Sequence, residues 1–235
     1  MFSIAGMDGS LQLWRRCAAE GFAAFALVFA GCGAIITNAQ YGEALGTVGI
    51  ALVFGLVIMV MVYATGHLSG AHINPAVTLA FTLTRHFSLR EAAAYIAAQL
   101  AGATAAALLL LAVWTDKPAS LGATLPSVGA GSALVYEAVL SAFLMFVIMA
   151  VATDTRAVGA AAAIAIGGTI GLDALFGGPV TGASMNPARS FGPALVSGEW
   201  RDFWVYVVGP VAGAAIGALA YQLIRGPQSR DPAPL

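Results

Sequence analysis

Residues 69–78 read SGAHINPAVT, and residues 181–190 read TGASMNPARS. The two stretches lie 112 residues apart and share an Asn-Pro-Ala core: Asn74, Pro75, Ala76 and Asn186, Pro187, Ala188. Asparagine is a favoured helix N-cap, its side-chain oxygen accepting a bond from an N–H in the first turn. Proline suits the first helical position, where no N–H is needed. Each core therefore predicts a helix start. The apolar residues that follow, 74–84 and 186–197, are long enough for only half a bilayer. The residues before each core, Gly70, Ala71, His72 and Ile73, and Gly182, Ala183, Ser184 and Met185, cannot belong to the same helices. Irregular backbone at membrane depth survives only beside a cavity or inside protein. A lining of backbone carbonyls leading to two amide donors follows, with each NH₂ left free to point into a lumen.

Outward from the motifs, the chain is 235 residues long, 60 % hydrophobic and 9 % charged. A soluble domain carries roughly 25 % charged residues, so the solvent is largely lipid. A net charge of −1 gives no reason to expect a nucleic-acid partner. Six apolar stretches of about 20 residues can each cross a hydrocarbon core: 17–36, 47–66, 92–113, 132–152, 157–176 and 203–224. The expected fold is all-α, with six transmembrane helices and two re-entrant half-helices. The first apolar run outlasts a signal-peptide core and reads as a retained span. With six spans, both tails and the even loops share one side. That side collects Arg15, Arg16, Arg85, Arg90, Arg156, Arg225 and Arg230, while the other holds Lys117 and Arg201. Positive charge stays cytoplasmic, so both termini are expected there, in a multi-pass cell-membrane protein.

The repeat extends beyond the motifs. Gly55 matches Gly167 and Ala51 matches Ala163 at the same offset. Glu20 and Glu137 open spans one and four, and Tyr95-x-x-x-Gln99-x-x-Gly102 echoes Tyr206-x-x-x-Pro210-x-x-Gly213. Each half, 1–120 and 121–235, holds three spans. An odd number inverts the second half relative to the first, so the two motif loops enter from opposite faces. Both half-helices then point their positive N-termini at the midplane. A cation meets two like-signed dipoles there, whereas a neutral molecule loses little.

The paired motifs, with the approaches GHLSGAHINPAVT and GPVTGASMNPARSFGPA, resemble the aquaporin (major intrinsic protein) family along essentially the whole chain. That resemblance implies an hourglass fold, a homotetramer with one pore per subunit, and conduction of water or small neutral solutes without a cofactor. Ser190 and Ala194 are similar to the aquaporin branch. Tyr206-Val207 and the stretch 177–190 look nearer to the nodulin-like intrinsic proteins.

Arg189, a charge inside the membrane, is functional by default, and the resemblance makes it the arginine of an outer selectivity filter. Glu20 and Glu137 would attract cations if they faced a pore; as acceptors for the loop backbones they brace the carbonyl ladders. His72 is assigned to the lining through its carbonyl, His67 to a loop brace, and His86 to the cytoplasmic surface. Two histidines are too few for a metal site. Asp173 either reaches the outer interface, caps a loop, or biases the outer vestibule. Cys17 and Cys32 are about 22 Å apart along one helix and cannot bridge. Gly209, Gly213 and Gly217, and Gly102 with Ala106, let helices approach closely within lipid.

No nucleophile, base pair or metal cluster supports an enzyme. A secondary transporter also uses inverted repeats, but needs ionisable groups at the midplane for coupling, and only the glutamates qualify. Aligned with the family, the four filter positions fall on Thr47, Ala174, Ala183 and Arg189. One arginine, one hydroxyl and two methyls imply a wide, partly apolar pore suited to glycerol, urea, boric or arsenous acid. The alternative is a water-selective pore, refilled by Met185, Phe176 or a loop side chain.

Overall fold

The computed structural model describes residues 12–154, 156–157 and 159–226; Arg230, counted above with the cytoplasmic charges, lies outside them. Among these residues, six helices are long and apolar enough to cross a membrane. They are α1 (Leu13–Gln40), α2 (Gly46–Ser69), α4 (Leu89–Val113), α5 (Ala130–Thr153), α6 (Ala162–Thr181) and α8 (Val205–Arg225). Two short helices complete the set: α3 (Pro75–Leu83) and α7 (Pro187–Ser197), of nine and eleven residues. At 1.5 Å per residue these are roughly 13–17 Å long, half a hydrocarbon core.

The expected spans match these helices except at the fifth. It starts at Ala162 rather than 157 and runs through Gly177, Gly178 and Pro179 to Thr181. Pro179, lacking an N–H, leaves the Leu175 carbonyl without its ladder donor two residues before the helix ends. Carbonyls freed in that last turn are capped from the loop before α5. Ser127 donates its hydroxyl to the Pro179 and Val180 carbonyls and its N–H to Val180.

Helix pairs recur in the two halves: α1 packs on α4, α5 packs on α8, and α2 packs on α6 between them. The crossings are backbone on backbone. A methyl group on Gly102 would sit 2.0 Å from the Gly21 carbonyl oxygen, and one on Gly213 would sit 2.0 Å from that of Ala138. Lipid gives little hydrophobic force between helices, so dispersion at such close approach holds them.

Large apolar side chains face outward, among them Leu56, Phe143, Leu172 and Leu219, while Glu20, Glu137, Gln99, Asp173 and Arg189 are buried. Apolar outside and polar inside is the arrangement lipid solvation demands.

Candidate functional site

The centre is built where the two half-helices meet. Asn74 and Asn186 both have extended backbone and cap their helices as expected. Asn74 Oδ1 accepts from Ala76 N at 2.8 Å; Asn186 Oδ1 accepts from Ala188 N at 3.0 Å and Arg189 N at 3.3 Å. The amides are not wholly free, which corrects the sequence expectation. Asn74 Nδ2 donates to the Met185 carbonyl at 2.8 Å, and Asn186 Nδ2 donates to the Ile73 carbonyl at 2.9 Å. Each motif thus locks onto the residue preceding the other, leaving each NH₂ one hydrogen for the passage. The Ile73 and Met185 carbonyls serve first as these anchors.

Asn74→Ala removes a cap worth about 0.5–2 kcal/mol and a cross-loop bond worth roughly 1 kcal/mol. The expected result is a lower unfolding temperature in detergent and lower flux. Unchanged values in both measurements would remove the asparagine from this role.

The approach loops are strained and held. After left-handed glycines at 70 and 182, Ala71 and Ile73 have φ of 48° and 57°, and Ala183 and Met185 have φ of 40° and 53°. Such backbone is costly for residues with side chains and persists only where surroundings over-determine it. The two buried glutamates do so, as the sequence suggested. Glu20 Oε1 accepts from Ser69 Oγ (2.6 Å) and His72 N (2.9 Å), while Oε2 accepts from Ile73 N (2.6 Å) and Gln99 Nε2 (2.8 Å). Glu137 Oε1 accepts from Thr181 Oγ1 (2.7 Å) and Ser184 N (2.9 Å), and Oε2 accepts from Met185 N (2.8 Å). Tyr95 and Tyr206 add hydroxyl donations to the carbonyls of Ser69 and Thr181.

Behind the first loop, the His72 ring packs on Phe81, Phe87 and Tyr95, with Nδ1 3.2 Å from Thr78 Oγ1. At the matching positions of the second loop, Ser184 and Ser190 share a 2.6 Å bond, and Thr124 donates to Ser190. His67 is exposed on α2 and makes no hydrogen bond to a loop among the described residues. Asp173 is fully buried, and among the described residues neither carboxylate oxygen has a hydrogen-bond partner. It reaches no interface and caps no loop.

An internal cavity runs past both motifs. It is walled on α2 by Phe54, Ile58 and Val62, on α6 by Ile166, Ile170 and Ala174, and by Gly70–Asn74, Ala183–Asn186 and Arg189. Arg189 is 2 % exposed; its Nη1 donates to the Gly122 carbonyl at 2.8 Å, and its guanidinium carbon lies 5.0 Å from the centre of the Phe54 ring. This geometry corrects the filter assignment at one position. Thr47 stands seven residues, about 10 Å along the helix, before Phe54. It is exposed and lines an outer hollow with Ile35, Ile50 and Phe54. The α2 side chain level with Arg189 is Phe54. Phe176 is 45 % exposed beside Tyr136 and refills nothing; the side chain that fills the wide gap is Phe54. Sequence reasoning also missed the Gly122 carbonyl, which lies at the end of a short turn, Pro118–Gly122, with left-handed backbone.

Six lipid-facing helices around two locked half-helices and an internal passage define a multi-pass integral membrane protein of the channel class. The chain belongs to the major intrinsic protein family, whose profile matches residues 8–221; this is a family of membrane channels, not of enzymes. It is 50 % identical to "Aquaporin NIP1-1" of Oryza sativa subsp. japonica, over 94 % of this chain and 78 % of that protein. It is 46 % identical to "Nodulin-26" of Glycine max, over 92 % of this chain and 80 % of that one. The fold matches the X-ray structure of the aquaglyceroporin from Plasmodium falciparum with a TM-score of 0.77, at 24 % identity, covering 89 % and 96 % of the two chains.

Proposed function

We propose that this protein is a passive channel for water and small uncharged solutes such as glycerol, urea or boric and arsenous acid, and that it excludes protons and ions. One observation carries the solute class: the guanidinium of Arg189 lies over the Phe54 ring where Ala174 and Ala183 also line the wall. Such a constriction offers hydrogen-bond donors beside an aromatic face and two methyl groups. A polyol or metalloid hydroxide satisfies both, placing hydroxyls toward Arg189 and its carbon or metalloid atom against Phe54 and the alanines. Below it, loop carbonyls accept from each solute in file, and the two asparagine amides donate at the centre. A water accepting from both amides turns its own hydrogens outward, which interrupts a proton wire. The two half-helix N-termini add positive potential that opposes cations.

The charge asymmetry supports cytoplasmic termini, and the family supports a homotetramer in the lipid bilayer with one such passage per subunit. The small alanines at 174 and 183 favour the broader solute range over water alone. Reconstituted vesicles in a stopped-flow scattering panel test it. Glycerol and boric acid are expected to equilibrate well above empty-vesicle rates. Ala174→His, which adds a ring to the constriction, is expected to cut glycerol flux at least about tenfold, the scale on which a fitted pocket discriminates, while sparing water. A native protein that passes water alone would replace this reading with a water-selective one.

A further inference from the structure

We infer that Gly31, on α1 and outside the passage wall, sets the width of the constriction by seating the Phe54 ring. It is thus a specificity-determining position, and the inference rests on the constriction proposed above. A methyl group on Gly31 would lie 2.1 Å from Phe54 Cε1, 2.4 Å from Cζ and 2.7 Å from Cδ1. Those three atoms are one edge of one ring, so the ring edge occupies the space a side chain at residue 31 would take. The same ring carries the Arg189 guanidinium. Phe54 is therefore fixed between α1 behind and Arg189 at the passage.

The stripe that α1 presents makes the point independently. Leu27 lines the inner passage and Ile35 lines the outer hollow. Gly31, one turn from each, supplies no side chain, and Phe54 fills that level from α2. In the second half the bulk is distributed the other way. Applying the Glu20-to-Glu137 offset to Gly31 gives Ile148, and applying the motif offset to Phe54 gives Ile166; both line the passage. Where the α1-type position carries a side chain, the α2-type position carries a smaller one. A large ring at residue 54 requires nothing at residue 31.

Adding a β-carbon at residue 31 displaces the ring by roughly 1.5 Å to reach ordinary carbon–carbon contact. The relief is a side-chain movement, because no backbone atom is among the nearest neighbours. With α1 behind it, the ring moves toward Arg189 and the lumen.

The test is a double-mutant cycle in reconstituted vesicles, with glycerol and water permeability each normalised to channel number. Gly31→Ala is expected to lower glycerol permeability about tenfold, the worth of one misplaced methyl in a fitted passage, with a smaller effect on water. In the Phe54→Ala background the same substitution is expected to change neither by more than about twofold, since the pair acts as one unit. An unchanged glycerol-to-water ratio in Gly31→Ala overturns the inference, as does an equal loss in the Phe54→Ala background. If Gly31→Ala does not assemble, Gly31→Ala with Phe54→Leu regains folded yield when the ring is the obstacle; equal loss in that pair overturns the proposal. If the native protein passes water but no glycerol, the solute reading fails alone. The cycle is then read in water permeability, where Gly31→Ala lowers flux only when Phe54 is present.

Discussion

Arg189→Val is expected to open a proton or cation leak while neutral solutes still pass. Arg189 is held by three observed features: burial, donation to the Gly122 carbonyl and the face of Phe54. Its guanidinium stays charged at any accessible pH and offers five donors, of which Nε has no acceptor among the described residues. A cation in the passage therefore meets a fixed like charge, in addition to the positive ends of α3 and α7. Two unit charges at 4 Å repel by roughly 4 kcal/mol at an effective dielectric of 20. Losing even half of that raises a leak more than about tenfold, since 1.4 kcal/mol is a factor of ten. Arg189→Lys keeps the charge but not the planar fork of donors, so it is expected to hold the leak low while shifting solute preference. Conductance under voltage clamp, alongside vesicle solute flux, separates the two. A native-level leak in Arg189→Val would show that the charge is no barrier.

Much of this arrangement is legible from residue types. Length and hydropathy locate the membrane helices, because lipid solvation acts on every outward side chain alike. The caps at Asn74 and Asn186 are legible because capping is local chemistry. Glu20 and Glu137 are legible because a buried carboxylate needs donors, and the repeat sets each beside a loop that has them. The start of α6 is less so: residues 157–161 are as apolar as the helix, and only the backbone tells a loop turn from a span.

Phe54 was missed for a physical reason. Hydropathy marks a helix as crossing the membrane but does not register the depth of each residue. A sequence signal for depth nevertheless exists. The α2 wall, Phe54, Ile58 and Val62, and the α6 wall, Ile166, Ile170 and Ala174, are related residue by residue through the 112-residue offset. Because the second half is inverted, equivalent residues lie at opposite mouths, and the middle pair, Ile58 and Ile170, lies at the same level. The partner of Ala174 at the outer constriction is then found by reflection, four residues before Ile58, which is Phe54. Asp173 had no such signal. An acidic residue in an apolar run reads as a terminus or a site, and the structure buries it without a hydrogen-bond partner among the described residues.

Glu20→Gln is expected to damage the channel more than Glu137→Gln, although the two glutamates do the same work. The difference lies in the fourth donor. Each Glu20 oxygen accepts two donors, and Gln99 supplies one of those on Oε2. At the matching position on α8 stands Pro210, which has no side-chain donor, so Glu137 Oε2 accepts from the Met185 N–H alone among the hydrogen bonds described. A glutamine can turn its amide oxygen toward one pair of donors but then presents its NH₂ to the rest. In Glu20→Gln that NH₂ opposes two donors, Ile73 N and Gln99 Nε2 as Gln99 stands, and turning the Gln99 amide to relieve one takes its Nε2 from Thr78 Oγ1; the flipped orientation opposes the other pair. In Glu137→Gln the better orientation opposes only one. Each buried donor left without an acceptor costs about 1–3 kcal/mol, and Ile73 already holds a left-handed backbone that the carboxylate must stabilise. Glu20→Gln is therefore expected to unfold at lower temperature in detergent than Glu137→Gln and to retain less water flux. Gln99→Leu in the Glu20→Gln background removes one of the opposed donors and is expected to recover part of the loss. Equal destabilisation by the two glutamine variants, together with no recovery from Gln99→Leu, would show that donor count does not set the strength of the brace.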